Sequence, residues 1–276
     1  TRVGGTIGRQ TGRYFRFNVA GDVCLIGYKL GEFDINGNIE GRIPLGHDTA
    51  SIRAHAHIGN QQPDFFTQTY RSNHFQWVDN DFSKIYRVAA GGTLAYPNRY
   101  VNARLTVNVE NITRPIYFTT TRPQQHDGSV QVISADLQLN LHTRHFALDN
   151  RIVWQKSTSN VIPLPDLSLY HNLYYYARWF RALDVQFGVD MRYHTAYYAP
   201  LYMPGLGQFT LQNDVKVGNY PKITIYANLR LKTVRFYIAG EHFNNLFGNN
   251  THYYSMPLYP INPSQLKLGI SWCFYN

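Results

Sequence analysis

The feature of this sequence that most restricts its fold is a strict alternation of apolar and polar residues. Within residues 222–231, KITIYANLRL, every second residue is apolar and the residues between are polar or charged. The same pattern recurs in 49–59, 99–111 and 183–198. Because the side chains of a strand point alternately to its two faces, each segment is predicted to be a strand with one apolar and one polar face. Apolar residues rarely recur at helical spacing, so the sequence predicts an all-β fold.

The alternation predicts about thirteen antiparallel strands. They are expected at 1–10, 13–28, 32–44, 49–59, 82–97, 99–111, 130–142, 144–156, 167–180, 183–198, 222–231, 233–244 and 264–275. Most are as long as the roughly 9–11 residues that a strand needs to cross a bilayer. Strands of water-soluble proteins more often have about 5–6 residues.

The predicted connections alternate between long and short when they are counted back from the last strand. The long ones are 245–263, 199–221, 157–166, 112–129 and 60–81, and tight turns lie between them. Only 29–31 is short where a long connection is due. Short turns at one end and long loops at the other are typical of bacterial outer-membrane barrels.

The composition agrees with a β-rich membrane protein. Charged residues make up 16% and aromatic residues 15% of the 276 residues, and there are 22 tyrosines. The aromatic surplus suits girdles at a membrane interface, with a sugar-stacking surface as the alternative. The formal net charge of +9 is spread singly over polar strand positions. Nucleic-acid binding, which uses clustered basic residues, is therefore disfavoured.

These patterns decide which face of the sheet is the inside. In a water-soluble sheet the apolar face packs on a core, whereas in an outer-membrane barrel it faces lipid and the polar face lines a lumen. The long strands and alternating connections predict the second arrangement, a single antiparallel transmembrane β-barrel domain covering residues 1–276. Single-chain bacterial barrels have even strand numbers, and an open edge in lipid leaves backbone groups unpaired. We therefore expect N-terminal sequence to be missing, with about 14–16 strands in the complete barrel.

The last predicted strand, SQLKLGISWCFYN, ends in a run of apolar residues on one face. They are Leu266, Leu268, Ile270, Trp272 and Phe274. This segment resembles the C-terminal sorting strand of outer-membrane barrels, which implies a lipid-facing assembly signal recognised by the barrel assembly machinery. Asn276 departs from that signal, which usually has a terminal aromatic residue.

Three further segments extend the resemblance. They are GEHFNNLFG (240–248), SNHFQW (72–77) and YHTAYYAPLYMPGLGQF (193–209). With the last strand, they make the chain similar to the C-terminal part of members of the putative porin family of Bacteroidota outer membranes. The resemblance implies a β-barrel in the outer membrane of a Gram-negative bacterium. Members of that family are longer than this chain, which again implies missing N-terminal sequence.

The polar face supplies the candidate site residues. By parity we expect these side chains to line a pore: Arg16, Arg42, Arg53, His55, His57, Arg87, Arg104, Arg151, Arg178, Asp190, Arg192, Arg230, Arg235, Glu241 and Lys267. Acidic residues alternate with the basic ones. Such a mixture can form cross-strand ion pairs that stiffen the wall, or opposed charged walls around a constriction. The sequence leaves both arrangements open.

Two patterns could carry other chemistry. His55 and His57 share the polar face and could ligate a metal, but a third ligand and a second shell would be needed, so a wet lumen wall is the favoured explanation. Ser72-Asn73-His74 has residue types of a lipid hydrolase. Three adjacent loop residues do not place a nucleophile against an oriented base. We therefore expect no enzymatic activity, no metal and no cofactor.

The sequence thus predicts a passive diffusion channel for small hydrophilic solutes, with a mild anion preference. The alternative is a structural or partner-binding barrel, closed to solutes, within a larger envelope complex. The expected partners are outer-membrane lipids, the barrel assembly machinery during insertion, small hydrophilic solutes and possible envelope proteins, but no nucleic acid.

Overall fold

A computed structural model describes residues 1–12, 14–46, 48–248 and 253–274 of the chain. The main element is an antiparallel sheet of thirteen strands, in which neighbours in sequence are neighbours in space. The strands are β1 (Arg2–Arg9), β2 (Phe15–Cys24), β3 (Phe33–Leu45), β4 (Asp48–Gln61), β5 (Ile85–Pro97), β6 (Val101–Thr113), β7 (Ser129–His142), β8 (Phe146–Ser157), β9 (Leu167–Trp179), β10 (Leu183–His194), β11 (Lys222–Leu231), β12 (Val234–Glu241) and β13 (Gln265–Trp272). The prediction of an all-β fold with thirteen strands is confirmed. The outermost residues of two predicted strands, 13 and 275, and Asn276 lie outside the described residues.

The strand predicted at 13–28 is too long, and for that reason the connection predicted after it, 29–31, is too short. Strand β2 ends at Cys24, where two consecutive apolar residues, Leu25 and Ile26, break the alternation. The connection to β3 runs over 25–32 rather than 29–31, so it belongs with the long connections.

Three other predicted strands also end early, and the last of them, predicted at 264–275, ends at Trp272. The segment predicted at 183–198 leaves the sheet after His194, because Tyr197 pairs with Val217 instead of continuing β10. The segment predicted at 233–244 stops at Glu241, where His242 adopts a left-handed conformation with φ of 54°. A positive φ in a residue other than glycine interrupts the extended backbone.

All tight turns lie at one end of the sheet and all long connections at the other, which we call the turn end and the loop end. The turn at 180–182 illustrates the first group: Phe180 and Arg181 both have positive φ, 51° and 59°. Consecutive positive φ values match the twist of the strands they join. Adjacent strands are also locked by close packing on the polar face, where the Tyr226 ring covers Gly188 and leaves no room for a Cβ there.

Three long connections pack together at the loop end. We call the segments 62–84, 114–128 and 195–221 the loop cap. Four short strands in the last two segments form one sheet: Ile116–Phe118, Pro123–Gln125, Leu201–Met203 and Gln208–Thr210. The first segment joins them because Trp77 makes an edge-to-face contact with Phe118 at 6.3 Å between ring centroids.

The remaining elements are short. Hairpins pair Tyr70–Arg71 with Gln76–Trp77, and Tyr254–Met256 with Tyr259–Pro260. The helices are an α-helix at Phe65–Gln68 and a 3₁₀ helix at Phe243–Phe247. Over the described residues, no helix has the length and apolar character that crossing a membrane requires.

Burial differs between the loop cap and the sheet. Trp77 is 7% exposed and Thr210 is fully buried, so the loop cap has an interior core. Large apolar side chains of the sheet are exposed instead, for example Ile7 at 75% and Leu266 at 72%. Apolar surface this extensive on one face marks an environment other than water.

The sheet has two edges. Strand β1 pairs with β2, and β13 pairs with β12. Within 1–12, 14–46, 48–248 and 253–274, no pairing joins β1 to β13.

Candidate functional site

The candidate site is the polar face of the sheet. Directly opposed residues on antiparallel strands share a face, so the strand register tests whether the predicted pore-lining residues lie together. On β2 and β3 Arg16 opposes Glu40, which opposes Arg53 on β4. The pairing can be followed strand by strand across the sheet to β13. There Lys267 opposes Ala239, which lies on the same face of β12 as Arg235. The structure therefore places these predicted residues on one face: Arg16, Arg42, Arg53, His55, His57, Arg87, Arg104, Arg151, Arg178, Asp190, Arg192, Arg230, Arg235, Glu241 and Lys267.

Ion pairs on β3 and β4 show how the charges of this face are arranged. Both carboxylate oxygens of Glu40 accept hydrogen bonds, one from Arg42 Nε at 2.9 Å and one from Arg53 Nη2 at 2.9 Å. On the same strands, His57 Nε2 lies 2.8 Å from Asp34 Oδ2. Of the two arrangements that the sequence left open, neighbouring strands here form the first, cross-strand ion pairs.

Pairs of the same kind continue along the sheet. Arg151 Nη2 on β8 donates to Asp136 Oδ2 on β7 at 2.7 Å. Lys267 Nζ on β13 donates to Glu241 Oε1 on β12 at 2.8 Å. Arg87 and Glu110 also form an ion pair between β5 and β6. The acidic side chains of this face therefore have basic neighbours.

Four arginines on the face lack such a partner. Arg16 Nε donates to the Gly12 carbonyl at 3.0 Å, and Arg230 Nε to the Lys232 carbonyl at 3.3 Å. Within the part of the chain that the structure describes, ion pairs with carboxylates are absent for these four: Arg16, Arg104, Arg230 and Arg235. The polar face therefore carries uncompensated positive charge.

A neutral hydrogen-bonded band occupies the middle of β9 to β11. The Tyr226 hydroxyl donates to Asn172 Oδ1 at 2.9 Å, and Asn228 Nδ2 donates to Gln186 Oε1 at 3.2 Å. Side chains of this kind offer donors and acceptors to polar solutes without a fixed charge.

One long connection lies over the loop end of the polar face. Residues of 242–264, Tyr220 and residues of four strands line an open groove of about 630 Å³. Its lining includes Arg151, Tyr170, Arg192, Lys222, Ser255 and Ile261. The first four are directly opposed in register across β8 to β11, so they form a single row. Ser255 and Ile261 therefore bring this connection against the loop end of the row.

A buried cluster that the sequence did not predict holds this connection in place. His242, only 3% exposed, has Nδ1 2.7 Å from the Asn262 carbonyl and Nε2 2.7 Å from the Tyr220 hydroxyl. The carbonyl only accepts, so Nδ1 carries the hydrogen and Nε2 accepts from the hydroxyl. Burial raises the pKa of Tyr220, so its hydroxyl keeps its hydrogen at neutral pH. Asn244 Nδ2 donates to the same hydroxyl at 2.8 Å.

The residues proposed for other chemistry occupy structural positions. Ser72 Oγ bonds with the backbone of Phe75, accepting from its N–H and donating to its carbonyl, both at 3.2 Å. The serine thus closes a loop turn, and that turn does not bring a base to it. Across the described ranges, no group of three or more potential metal ligands is assembled around His55 or elsewhere.

The apolar residues of the last strand lie on the opposite face from Lys267. All five predicted assembly-signal residues are exposed: Leu266 72%, Leu268 65%, Ile270 71%, Trp272 59% and Phe274 77%. This exposure is what contact with lipid requires of an outer face. Recognition of this strand by an assembly machinery stays a prediction.

The sheet exposes apolar side chains on one face and forms ion pairs on the other, which is the reverse of a water-soluble sheet with a buried apolar face. This arrangement defines the class of protein as an outer-membrane β-barrel. Solved structures agree with this fold. The "Copper transporter OprC" matches with a TM-score of 0.69 and 12% identity, covering 98% of this chain and 47% of that chain. "The FrpB iron transporter from Neisseria meningitidis (F3-3 variant)" matches with a TM-score of 0.55 and 10% identity, covering 96% of this chain and 53% of that chain. The chain thus spans about half the length of these transporter structures.

The sequence identifies the family. Residues 1–276 match the family described as "Putative porin", and the chain belongs to it. No curated protein sequence is significantly similar to the chain. Family and fold together place the chain among the outer-membrane β-barrels of Gram-negative bacteria, in a family of porins and not of enzymes.

Proposed function

We propose that the polar face lines a passive channel for small hydrophilic solutes, with a mild preference for anions. The supporting observation is the charge balance of this face. Its carboxylates are neutralised by neighbouring basic groups, whereas Arg16, Arg104, Arg230 and Arg235 have no carboxylate partner in the described ranges. Uncompensated charge in a narrow passage raises the local concentration of counter-ions. The ion pairs leave much of the face electrically neutral, which keeps the preference mild.

Two open strand edges lead to a proposal about the complete barrel. Unpaired backbone groups at an edge cost several kcal/mol each in lipid. We propose that further strands of a longer protein, N-terminal to this chain, cover β1 and β13 and bring the barrel to about 14–16 strands. The chain would then be the C-terminal part of that barrel, as its resemblance to porins of Bacteroidota implies.

Planar bilayer recordings on the full-length protein test the channel. Purified barrel should insert and give steady current steps, and a salt gradient should give a reversal potential of the sign expected for anion preference. Protein that inserts, as judged by protease protection, but carries no current would rule out the channel. A reversal potential indicating cation preference would overturn the selectivity alone.

Exposed apolar side chains in the connections favour a second candidate, a barrel that binds partners in an envelope complex. Phe66 is 69% exposed, Phe247 78% and Leu258 78%. Large apolar side chains exposed in loops, away from the lipid-facing wall, are candidates for contact with a partner. Co-purification of a stoichiometric envelope protein, lost when these three residues are changed to serine, together with no conductance, would support this candidate. The proposed binding partners of the barrel itself are outer-membrane lipids and, during insertion, the assembly machinery.

A further inference from the structure

One row of polar-face residues at the turn end differs from the rest of the face. Across β9 to β13 the directly opposed residues are Arg178, Asp184, Arg230, Arg235 and Ser271. The row contains three guanidinium groups and one carboxylate. It lines an open groove of about 990 Å³, to which the β7–β8 turn adds Arg144 and His145.

The single carboxylate of the row, Asp184, already forms an ion pair with Arg178. Arg178 binds Asp184 through two bonds, Nε to Oδ1 at 2.5 Å and Nη2 to Oδ2 at 3.1 Å. This fork-to-carboxylate geometry satisfies both oxygens of Asp184. Arg230, on the other side of Asp184, interacts with this carboxylate only through space, and among the described residues its side chain makes one hydrogen bond, to the Lys232 carbonyl.

Arg230 and Arg235 oppose each other directly. Opposed residues of antiparallel strands have Cα atoms roughly 5 Å apart. Like charges in such a pair repel each other, which destabilises the sheet unless an anion lies between them. Within the described residues, Arg235 has no ion pair at all, and Ser271 is the polar residue opposite it on β13. Two guanidinium groups therefore occupy directly opposed positions of the groove wall, and in the described residues neither has a carboxylate as an ion-pair partner.

We propose that Arg230 and Arg235 form a binding subsite for a multivalent oxyanion of the phosphate type. Each guanidinium presents paired donors that match two oxygens of one tetrahedral anion, which a spherical halide cannot satisfy. Arg178 and Asp184 form a neutral ion pair beside the subsite and take no part in it. This inference rests on the proposed function in one respect only, namely that water and solutes reach the polar face. Conductance is not required.

The test measures equilibrium binding of inorganic phosphate to the full-length protein in detergent, by titration calorimetry at constant ionic strength. Phosphate should bind and chloride should not compete at equal concentration. The Arg230→Gln/Arg235→Gln double variant should weaken phosphate binding at least about tenfold. The Arg104→Gln variant, which removes an unpaired arginine of the same face on β6, should leave it unchanged. Arg230→Lys/Arg235→Lys keeps both charges but loses the paired donors, so the advantage of phosphate over chloride should shrink to what charge alone gives.

Three results overturn the subsite. One is wild-type protein that does not bind phosphate, and another is equal weakening by Arg104→Gln, which would indicate a diffuse charge effect. The third is a lysine variant whose preference for phosphate over chloride is as strong as that of the wild type, since the paired guanidinium donors would then be irrelevant. None of these results tests the proposal of a channel, which depends on the conductance measured in the planar bilayer. Conversely, phosphate binding by a barrel that carries no current would keep the subsite and remove the channel.

Discussion

The strand wall, made of β1 to β13, and the loop cap follow opposite rules of burial. In the loop cap Trp77 is 7% exposed and stacks on Tyr70 with ring centroids 4.8 Å apart. In the strand wall Trp272 is 59% exposed and Ile270 71%. The cap is organised as a water-soluble protein is, with aromatic rings inside. The strand wall is organised for lipid on one face and water on the other. The two regions of the chain are therefore suited to different environments, water for the loop cap and the bilayer for the strand wall.

The largest expected effect comes from removing the anchor of the loop cap. Trp77→Ala loses the stacking on Tyr70 and the hydrogen bond from Nε1 to the Phe66 carbonyl at 2.9 Å. Truncating a buried tryptophan costs about 3–5 kcal/mol. We expect the cap segments to lose protection from hydrogen exchange while β1 to β13 keep theirs.

Trp154→Ala is the matched control, because Trp154 lies on the lipid-facing side of β8 and is 46% exposed. It should leave hydrogen exchange in the loop cap unchanged. Loss of protection throughout the strands of the Trp77 variant would mean that cap and wall unfold as one unit, which contradicts the comparison.

A smaller effect is expected from placing a charge on the lipid-facing side of the wall. Val107, in the middle of β6, is 43% exposed on the apolar face. Val107→Arg should reduce the free energy of folding into vesicles by about 2–4 kcal/mol. The neighbouring change Thr106→Arg points to the polar face, opposite Asp136, and should cost far less. A denaturant titration of vesicle insertion measures both, and equal losses would argue against a lipid-facing side.

The smallest effect is expected from the ion pairs of the polar face. Asp136→Asn removes the partner of Arg151. Since the Arg151 side chain is 55% exposed, the pair is screened by water and should contribute about 0.2–1 kcal/mol. Equilibrium unfolding in detergent gives this difference. A decrease in the free energy of unfolding above about 3 kcal/mol would mean that the pair lies in an environment without water, where removing one partner leaves a buried charge unpaired.

The sequence predicted the strand wall well because its determinants are local. Alternation at period two assigns a strand and the face of every residue in it, and the same parity placed Arg230 and Arg235 on the polar face. Register was not predictable, so the direct opposition of these two arginines emerged only from the structure. Strand β2 was overextended because the break at Leu25 and Ile26 was missed.

The loop cap could not be predicted in this way. The pairing of Thr210 with Phe118 joins two segments far apart in the chain. Loop segments have no hydrophobic period to reveal such contacts. The buried His242 cluster was missed for the same reason, although the left-handed residue after β12 marks where the alternation fails.

The central claim is that the polar face contacts water and the apolar face contacts lipid, and cysteine scanning along β6 tests it most directly. Cys24 and Cys273 are first replaced by serine, and residues 102–109 are then changed to cysteine one at a time. In the full-length protein in lipid vesicles, a small membrane-impermeant thiol reagent should label the even-numbered positions and leave the odd-numbered ones unmodified. Quenching of an attached fluorophore by brominated lipid should show the opposite phase. Labelling of the odd-numbered positions, or no alternation at all, would contradict the account.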